Sequence, residues 1–323
     1  MIKGNRFLVT GGAGLVGSHI VDQLVEEDAK EIIVLDNLSR GKIENLTSAI
    51  DRGNVKIIKG DILDLELLKN IMKGIDTVFH QAAIRITQCA EEPMLAHQVM
   101  ATGTINIAKA SVYAKVRKVV AASSASVYGQ ATDFPTKEDH HPYFNDTLYG
   151  GTKIYLENIF RSFKAMYNLD FVALRYFNVY GPRMDTEGKY TEVIIRWLDC
   201  ILKGQSPLIF GDGKTSMDLV HVEDVASANL LAMKANVTDQ VFNIGSQKET
   251  TLNQLLNILL EINNSNLRPI YKQERTVNSV NRRLADITKA QTMLKFNPKI
   301  ELRKGLAELN TWYEKNNLIN NIK

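Results

Sequence analysis

The sequence predicts an α/β fold, with a doubly wound parallel sheet first and a smaller mixed α/β domain after it. Three observations carry this reading. Short apolar runs alternate with amphipathic helical stretches as far as residue 178, the pattern of parallel strands joined by crossover helices. Gly11, Gly14 and Gly17 close the first apolar run and open the first helix. After Tyr180-Gly-Pro-Arg183 the segments become shorter and mixed. The predicted domains are residues 1–180 and 181–323, with some interleaving. No repeat, low-complexity tract or flexible linker separates them, so they are expected to be packed together.

Each element follows from its residues. Positions 7–10 form a short apolar run suited to a buried parallel strand. The helix behind the glycines places Ile20, Leu24 and Val25 on one face. Further strands are predicted at 31–36, 55–59, 77–80, 118–124 and 171–178. The fourth of these six strands runs into Gln81-Ala82-Ala83, small residues that let a flat ligand approach the backbone. Helices are predicted at 63–72, 94–113 and 148–167. Pro135 and Pro142 keep 132–146 a loop. The second part reads as helix 191–202, strand 208–210, a Gly211-Asp-Gly213 turn and strand 219–222. Helix 222–234, strand 241–244 and tail helices at 252–262 and 302–313 complete it.

Bulk properties narrow the function classes. Of 323 residues, 45% are hydrophobic and 23% charged, as in an ordinary globular protein. A net charge of +3 is too small to argue for nucleic acid. Cys89 and Cys200 form neither a metal-ligand spacing nor a disulfide framework, so no metal is expected. The N-terminus runs straight into the first strand, which leaves no room for a signal peptide. No apolar run has membrane-spanning length. The expected compartment is the cytoplasm.

The glycine-rich turn suits a dinucleotide for three reasons: a tight turn, close backbone approach to a phosphate, and close helix–strand packing. The helix N-terminus then faces a pyrophosphate. Asp36 stands nineteen positions beyond Gly17, where a carboxylate accepts both adenosine ribose hydroxyls and repels a 2′-phosphate. NAD is favoured over NADP, with Arg40 as the residue that could hold a 2′-phosphate. The competing reading of Asp36 is a surface acid capping the next turn.

Tyr149 and Lys153 lie four apart on one predicted helix and share a face. The ammonium is expected to lower the phenol's pKa, making Tyr149 a base for a sugar hydroxyl. Ser124, ending a strand, can share a hydrogen bond with that hydroxyl. His80 reads as a packed, hydrogen-bonded residue, and His140-His141 as a solvated loop without metal-ligand spacing. Gly150 and Gly151 suggest a close approach of cofactor or partner helix, or local tolerance in a well-packed helix.

The chain resembles an extended short-chain dehydrogenase/reductase, specifically a nucleotide-sugar epimerase of the UDP-glucose 4-epimerase type, over almost its whole length. The resemblance rests on Thr10-Gly-Gly-Ala-Gly-Leu-Val-Gly17, Asp36-Asn37, Gly60-Asp61-Ile62, Ser123-Ser-Ala-Ser-Val-Tyr-Gly129, Tyr149-Gly-Gly-Thr-Lys153 and Leu174-Arg-Tyr-Phe-Asn-Val-Tyr-Gly-Pro-Arg183. It implies a Rossmann-like fold with Ser124, Tyr149 and Lys153 as the catalytic group. It implies that Gly11, Gly14, Leu15 and Val16 meet the NAD pyrophosphate. Asp36, Asn37 and Arg40 would surround the adenosine ribose, and Asp61 and Ile62 the adenine. Gln81, Ala82, Ala83 and Arg85 would lie on the ribose–nicotinamide side, with Tyr176 and Phe177 near the nicotinamide and Lys153 on its ribose. Ser124, Ser126 and Asn178 would reach the substrate. The family also suggests a homodimer through a helix bundle.

Family dehydratases carry Asp-Glu after the catalytic hydroxyl, whereas Ala125-Ser126 stand here. Removal of water, and the related decarboxylation, are therefore disfavoured. Met217 replaces the arginine that usually precedes the second-domain Asp218, so Arg275, Arg282 or Arg283 would have to supply that charge. The expected activity is 4-epimerisation of a nucleoside-diphosphate hexose, probed against a nucleotide-sugar C4 dehydrogenase or 4-keto reductase. A non-catalytic NAD-binding regulator would have no need of a tyrosinate base.

Overall fold

The computed structural model describes residues 2–187, 191–273 and 280–320. The chain starts with β1 (Arg6–Thr10), α1 (Leu15–Glu26), β2 (Glu31–Asp36), α2 (Thr47–Arg52), β3 (Val55–Lys59) and α3 (Leu65–Ile71). β4 (Thr77–His80) leads into α4 (Ile86–Glu91), α5 (Pro93–Ala96), a π-helical stretch (His97–Thr102) and α6 (Gly103–Tyr113). β5 (Lys118–Ser124), α7 (Leu148–Tyr167) and β6 (Asp170–Tyr176) follow. Then come β7 (Asn178–Tyr180), α8 (Val193–Leu202), β8 (Leu208–Phe210), β9 (Ser216–His221), α9 (Val222–Lys234) and β10 (Gln240–Ile244). β11 (Glu249–Thr251), α10 (Leu252–Ile262), β12 (Ile270–Lys272), α11 (Thr288–Leu294) and α12 (Leu302–Asn320) complete the described chain.

The large sheet runs β10-β6-β5-β4-β1-β2-β3, with every neighbour parallel. Side chains alternate across a strand, so Phe7 and Val9 enter one apolar layer and Leu8 the other. The first layer is covered by Ile20 and Leu24 of α1 and Leu230 of α9. The second is covered by Leu68 of α3, Ile107 of α6 and Phe160 of α7. A third cluster joins Trp197 and Leu198 of α8 to Leu255 and Leu259 of α10 and Leu306 and Leu309 of α12. The expected parallel α/β architecture is present, and β10 enters the first sheet from the second half of the chain.

Two predicted elements are interrupted. Strand 171–178 ends at Tyr176; the Phe177 amide still donates to the Ile244 carbonyl at 2.9 Å, then β7 crosses to pair with β9 in a smaller sheet, β11-β9-β7. Helix 94–113 contains the π-helical stretch at His97–Thr102. Within it the Thr104 hydroxyl bonds back to the Met100 carbonyl at 2.6 Å. The strand order reverses between β1 and β4, and at the carboxyl ends of such a sheet a ligand crevice is expected.

Candidate active site

A cleft of about 2000 Å³ opens there, roughly twice the upper end of the ~300–1,000 Å³ that suits one small ligand. Its volume suits two ligands side by side. Gly11 has a positive φ of 65°, and a Cβ on it would lie 2.8 Å from the Ala82 nitrogen. A Cβ on Gly17 would meet the Gly11 carbonyl oxygen at 2.3 Å. Gly14 faces open space beyond a 3.3 Å contact, and no side chain caps α1. The first-turn N–H groups of α1 are therefore free to meet an anion. The loop fits a dinucleotide pyrophosphate.

Asp36 is buried; its Oδ2 accepts from the Ala13 amide at 3.0 Å and its Oδ1 from the Leu38 amide at 2.9 Å. It does hold the next turn, but as a buried group on the cleft wall and not as a surface acid. Carboxylate oxygens keep further acceptor sites for ribose hydroxyls. Asn37 donates to Asp61 at 3.0 Å, which joins the ends of β2 and β3 at the same edge. Leu15, Val16, Arg40, Ile62, Ala82 and Ala83 also line the cleft.

At the ends of β4 and β6 three side chains close a ring. Gln81 donates to Asn229 Oδ1 at 3.1 Å, Asn229 donates to the Tyr176 hydroxyl at 2.8 Å, and that hydroxyl donates to Gln81 Oε1 at 3.0 Å. Asn229 comes from α9 and was not among the residues singled out from sequence. No local pattern marks it. His80 is a packed residue, as expected: Nδ1 lies 2.9 Å from Thr10 Oγ1 and Nε2 3.4 Å from Thr104 Oγ1. Because Thr104 donates to Met100, the network assigns the ring proton to Nε2. Burial, then Lys153, pull the His80 pKa down to about 3.

Ser124, Tyr149 and Lys153 meet in this cleft. Thr147 caps α7 by accepting from the Gly150 amide at 3.1 Å. Lys153 is buried, its Nζ donates to the Ala122 carbonyl at 2.6 Å, and it sits 5.5 Å from the Tyr149 ring centre. Burial pulls Lys153 down to about 8. Burial pushes Tyr149 up to about 12, against a hydrogen bond with Ser124. The expected lowering of the phenol is thus reversed in the chain by itself. The ammonium sits over the ring and bonds a carbonyl, and desolvation outweighs the charges nearby.

Gly150 also has a local cause. A Cβ there would lie 2.1 Å from Asn145 Oδ1 and 2.4 Å from the Ser126 carbonyl oxygen. The turn after Ser124 packs on this helix, so neither cofactor nor partner helix is needed to explain the glycine. Behind it, Arg175 forms a two-pronged pair with Glu157 at 2.9 and 2.7 Å. Ser123 donates to the same carboxylate at 2.5 Å. These bonds tie β5, β6 and α7 together next to Ser124 and Lys153.

The opposite wall is built from separate segments. Arg40 and Arg85 both approach Asp185 at 3.5 Å, and Arg85 approaches Glu192 at 3.9 Å. Ser126, Phe177, Asn178 and Arg283 line the cleft, with Arg196, Trp197 and Trp312, which sequence reasoning had not marked. Arg282 lies outside and pairs with Glu249. Arg275 falls outside the described residues. Among the described residues no group of His, Cys, Asp and Glu is arranged to hold a metal ion, and no helix is long and apolar enough to cross a membrane.

Residues 7–245 match the model of the NAD dependent epimerase/dehydratase family. The chain belongs to that family. A relative from Methanocaldococcus jannaschii, provisionally named a UDP-glucose 4-epimerase, is 38% identical over 96% of this chain and 99% of its own. The solved UDP-N-acetylglucosamine 4-epimerase of Methanobrevibacter ruminantium, in complex with UDP-N-acetylmuramic acid, is 35% identical. Its TM-score is 0.92, over 97% of this chain and 99% of that one. The UDP-glucose 4-epimerase of Thermotoga maritima, solved with UDP-glucose, is 36% identical with a TM-score of 0.90, over 96% and 99% of the two chains. More distant relatives are named as a UDP-N-acetyl-alpha-D-glucosaminuronate decarboxylase and a dTDP-glucose 4,6-dehydratase. The expectation of an NAD-dependent nucleotide-sugar epimerase with the extended short-chain dehydrogenase/reductase fold agrees with these comparisons, and NAD is the cofactor of the family.

Proposed function

We propose that this family member is a 4-epimerase of a nucleoside-diphosphate hexose, with a UDP-hexose as substrate. The observation that supports this most is the meeting of Ser124, Tyr149 and Lys153 in one cleft with Ala125-Ser126 next in the chain. Tyr149 takes the proton of the C4 hydroxyl and later returns one. Ser124, bonded to that phenol, orients the same hydroxyl. Lys153 stays cationic below about pH 8 and holds the ribose next to the nicotinamide. The chemistry that bound NAD supplies is reversible hydride transfer at C4. Elimination of water would need a further acid and base, and the turn after Ser124 supplies no carboxylate.

The glycine loop, Asp36, Asn37 and Arg40 are assigned to the pyrophosphate and adenosine ribose, and Asp61 and Ile62 to the adenine. Gln81, Ala82, Ala83, Arg85, Tyr176 and Phe177 are assigned to the nicotinamide side. Ser126, Asn178 and Arg283 are assigned to the substrate, with Arg275. Residues 1–180 then serve mainly the cofactor and 181–323 mainly the substrate. Exposed Tyr113, Leu148, Tyr155, Met166 and Tyr167 on α6 and α7 support a homodimer through a bundle of those helices. The expected compartment is the cytoplasm.

The test is to incubate purified protein with UDP-glucose, UDP-N-acetylglucosamine and UDP-glucuronic acid, adding no cofactor. C4 epimers at equilibrium support the reading. NADH accumulating with a sugar nucleotide, and no epimer, replaces it with the C4 dehydrogenase.

A further inference from the structure

Glu157 is buried on α7 one helical turn past Lys153, where an ammonium and a carboxylate on one face would ordinarily pair. Here the Lys153 Nζ donates instead to the Ala122 carbonyl at 2.6 Å. Both oxygens of Glu157 are occupied by Arg175 of β6, whose Nε donates to Oε1 at 2.9 Å and Nη2 to Oε2 at 2.7 Å. Ser123 adds a 2.5 Å bond to Oε1. The guanidinium is fixed in turn: its Nη1 donates to the Tyr128 hydroxyl at 2.9 Å and to the Glu138 carbonyl at 2.8 Å.

The groups around Lys153 leave little else to hold or divert it. Burial pulls Lys153 down, and Cys89 on α4 and Glu157 oppose that. Burial pushes the Cys89 thiol up to about 11, so near pH 8 it is neutral. Tyr149 on the same helix, pushed up to about 12, and His80 on β4, pulled down to about 3, are neutral there as well. Of these groups only Glu157 brings a carboxylate to the ammonium. A buried carboxylate stripped of its partner is costly and would draw the nearest cation.

We propose that Arg175 and Glu157 are positioning residues for Lys153. The Arg175 fork saturates the carboxylate, so the ammonium stays on Ala122 and keeps its other two N–H donors for the cofactor ribose. This rests on the reading above, in which Lys153 holds that ribose. Lys153 lines the cleft and neither Glu157 nor Arg175 does, so both act through Lys153 and not on a ligand.

The test follows the titration of Lys153 in NAD-saturated protein by NMR of lysine isotopically labelled at Cε. The signal is assigned by its loss in Lys153→Met, with melting temperature and NAD content as controls of folding. Glu157→Gln should lower the Lys153 midpoint by about 1 pH unit, and Arg175→Met should raise it by about 1. A role confined to packing would not move the midpoint in opposite directions. If Arg175→Met does not fold, Arg175→Lys carries the test, because it keeps the charge and loses the fork; its midpoint should rise by about 0.5. Midpoints of folded variants that fail to move in these opposite directions overturn the proposal. With a UDP-sugar that the wild type epimerises, kcat should fall about 10- to 100-fold in Arg175→Met. Adding Glu157→Gln to that variant should recover about tenfold, and a folded double variant that recovers nothing overturns the proposal. A wild type that epimerises no UDP-sugar defeats the functional reading, and the midpoints, read without substrate, then decide this proposal alone.

Discussion

The two walls of the cleft are built differently. The sheet-side wall is closed by complete bonds: the Gln81–Asn229–Tyr176 ring, Lys153 on Ala122 at 2.6 Å, and Arg175 on Glu157 at 2.7 Å. Across the cleft, Arg40 and Arg85 approach Asp185 no closer than 3.5 Å. Buried Arg85 Nη1, Arg183 Nη1 and Asn178 Oδ1 have no hydrogen-bond partner among the described residues. The first wall is organised before any ligand arrives, as reacting groups require. The second holds cationic and polar groups whose partners an anionic ligand would complete.

The largest expected effect breaks the organised wall at its reacting group. Tyr149→Phe should lower kcat by about 10²–10⁴-fold, the range for loss of a general base, while the purified protein keeps its NAD. Turnover at the wild-type rate would remove Tyr149 from the assigned role. Next comes Gly17→Ala, whose Cβ would sit 2.3 Å from the Gly11 carbonyl oxygen. The loop must shift, with a stability loss of about 1–3 kcal/mol and loss of bound NAD. A variant with wild-type melting temperature and full NAD content would contradict the loop geometry.

A smaller effect tests the dryness of this wall. Folded His80 stays neutral down to about pH 3, while in the unfolded chain it takes up a proton near its ordinary value of 6.5. Unfolding therefore binds a proton between those values, and stability falls as pH drops through that window. His80→Gln should reduce the proton uptake on unfolding at pH 5 by about one, measured from the pH dependence of denaturant midpoints. An unchanged slope would show that the ring titrates in the folded chain. The smallest effect belongs to the other wall. Asp185→Asn removes a loose ion pair shared by Arg40 and Arg85, so NAD affinity should change by no more than about threefold. A tenfold loss would make that wall as organised as the first.

The same contrast explains what could be read from sequence. The glycine turn, Asp36 and the Tyr149–Lys153 pair are set by spacings within single strand–helix units, and the structure places them in one cleft. Strands 31–36 and 55–59 coincide with β2 and β3: the first is an apolar run buried along its whole length, and the second, with exposed Lys56 and Lys59, is the edge strand of the sheet. The second wall depends on register. Arg282 and Arg283 are adjacent, yet one pairs with Glu249 and the other faces the cleft, a choice made by pairing with β9 and by no local pattern. Asn229 lies 148 residues from its partner Gln81. The direction of the Tyr149 shift was hidden for another reason: i, i+4 spacing shows a nearby charge and says nothing of burial.

The central claim is that hydride leaves C4 and comes back to the same carbon within one closed site. UDP-glucose carrying deuterium at C4, incubated with the protein and no added cofactor, tests this directly. The expected product is the C4 epimer with deuterium retained at C4 and none released to solvent. Epimer formed with loss of that deuterium, or deuterium collected in free reduced cofactor, would contradict it.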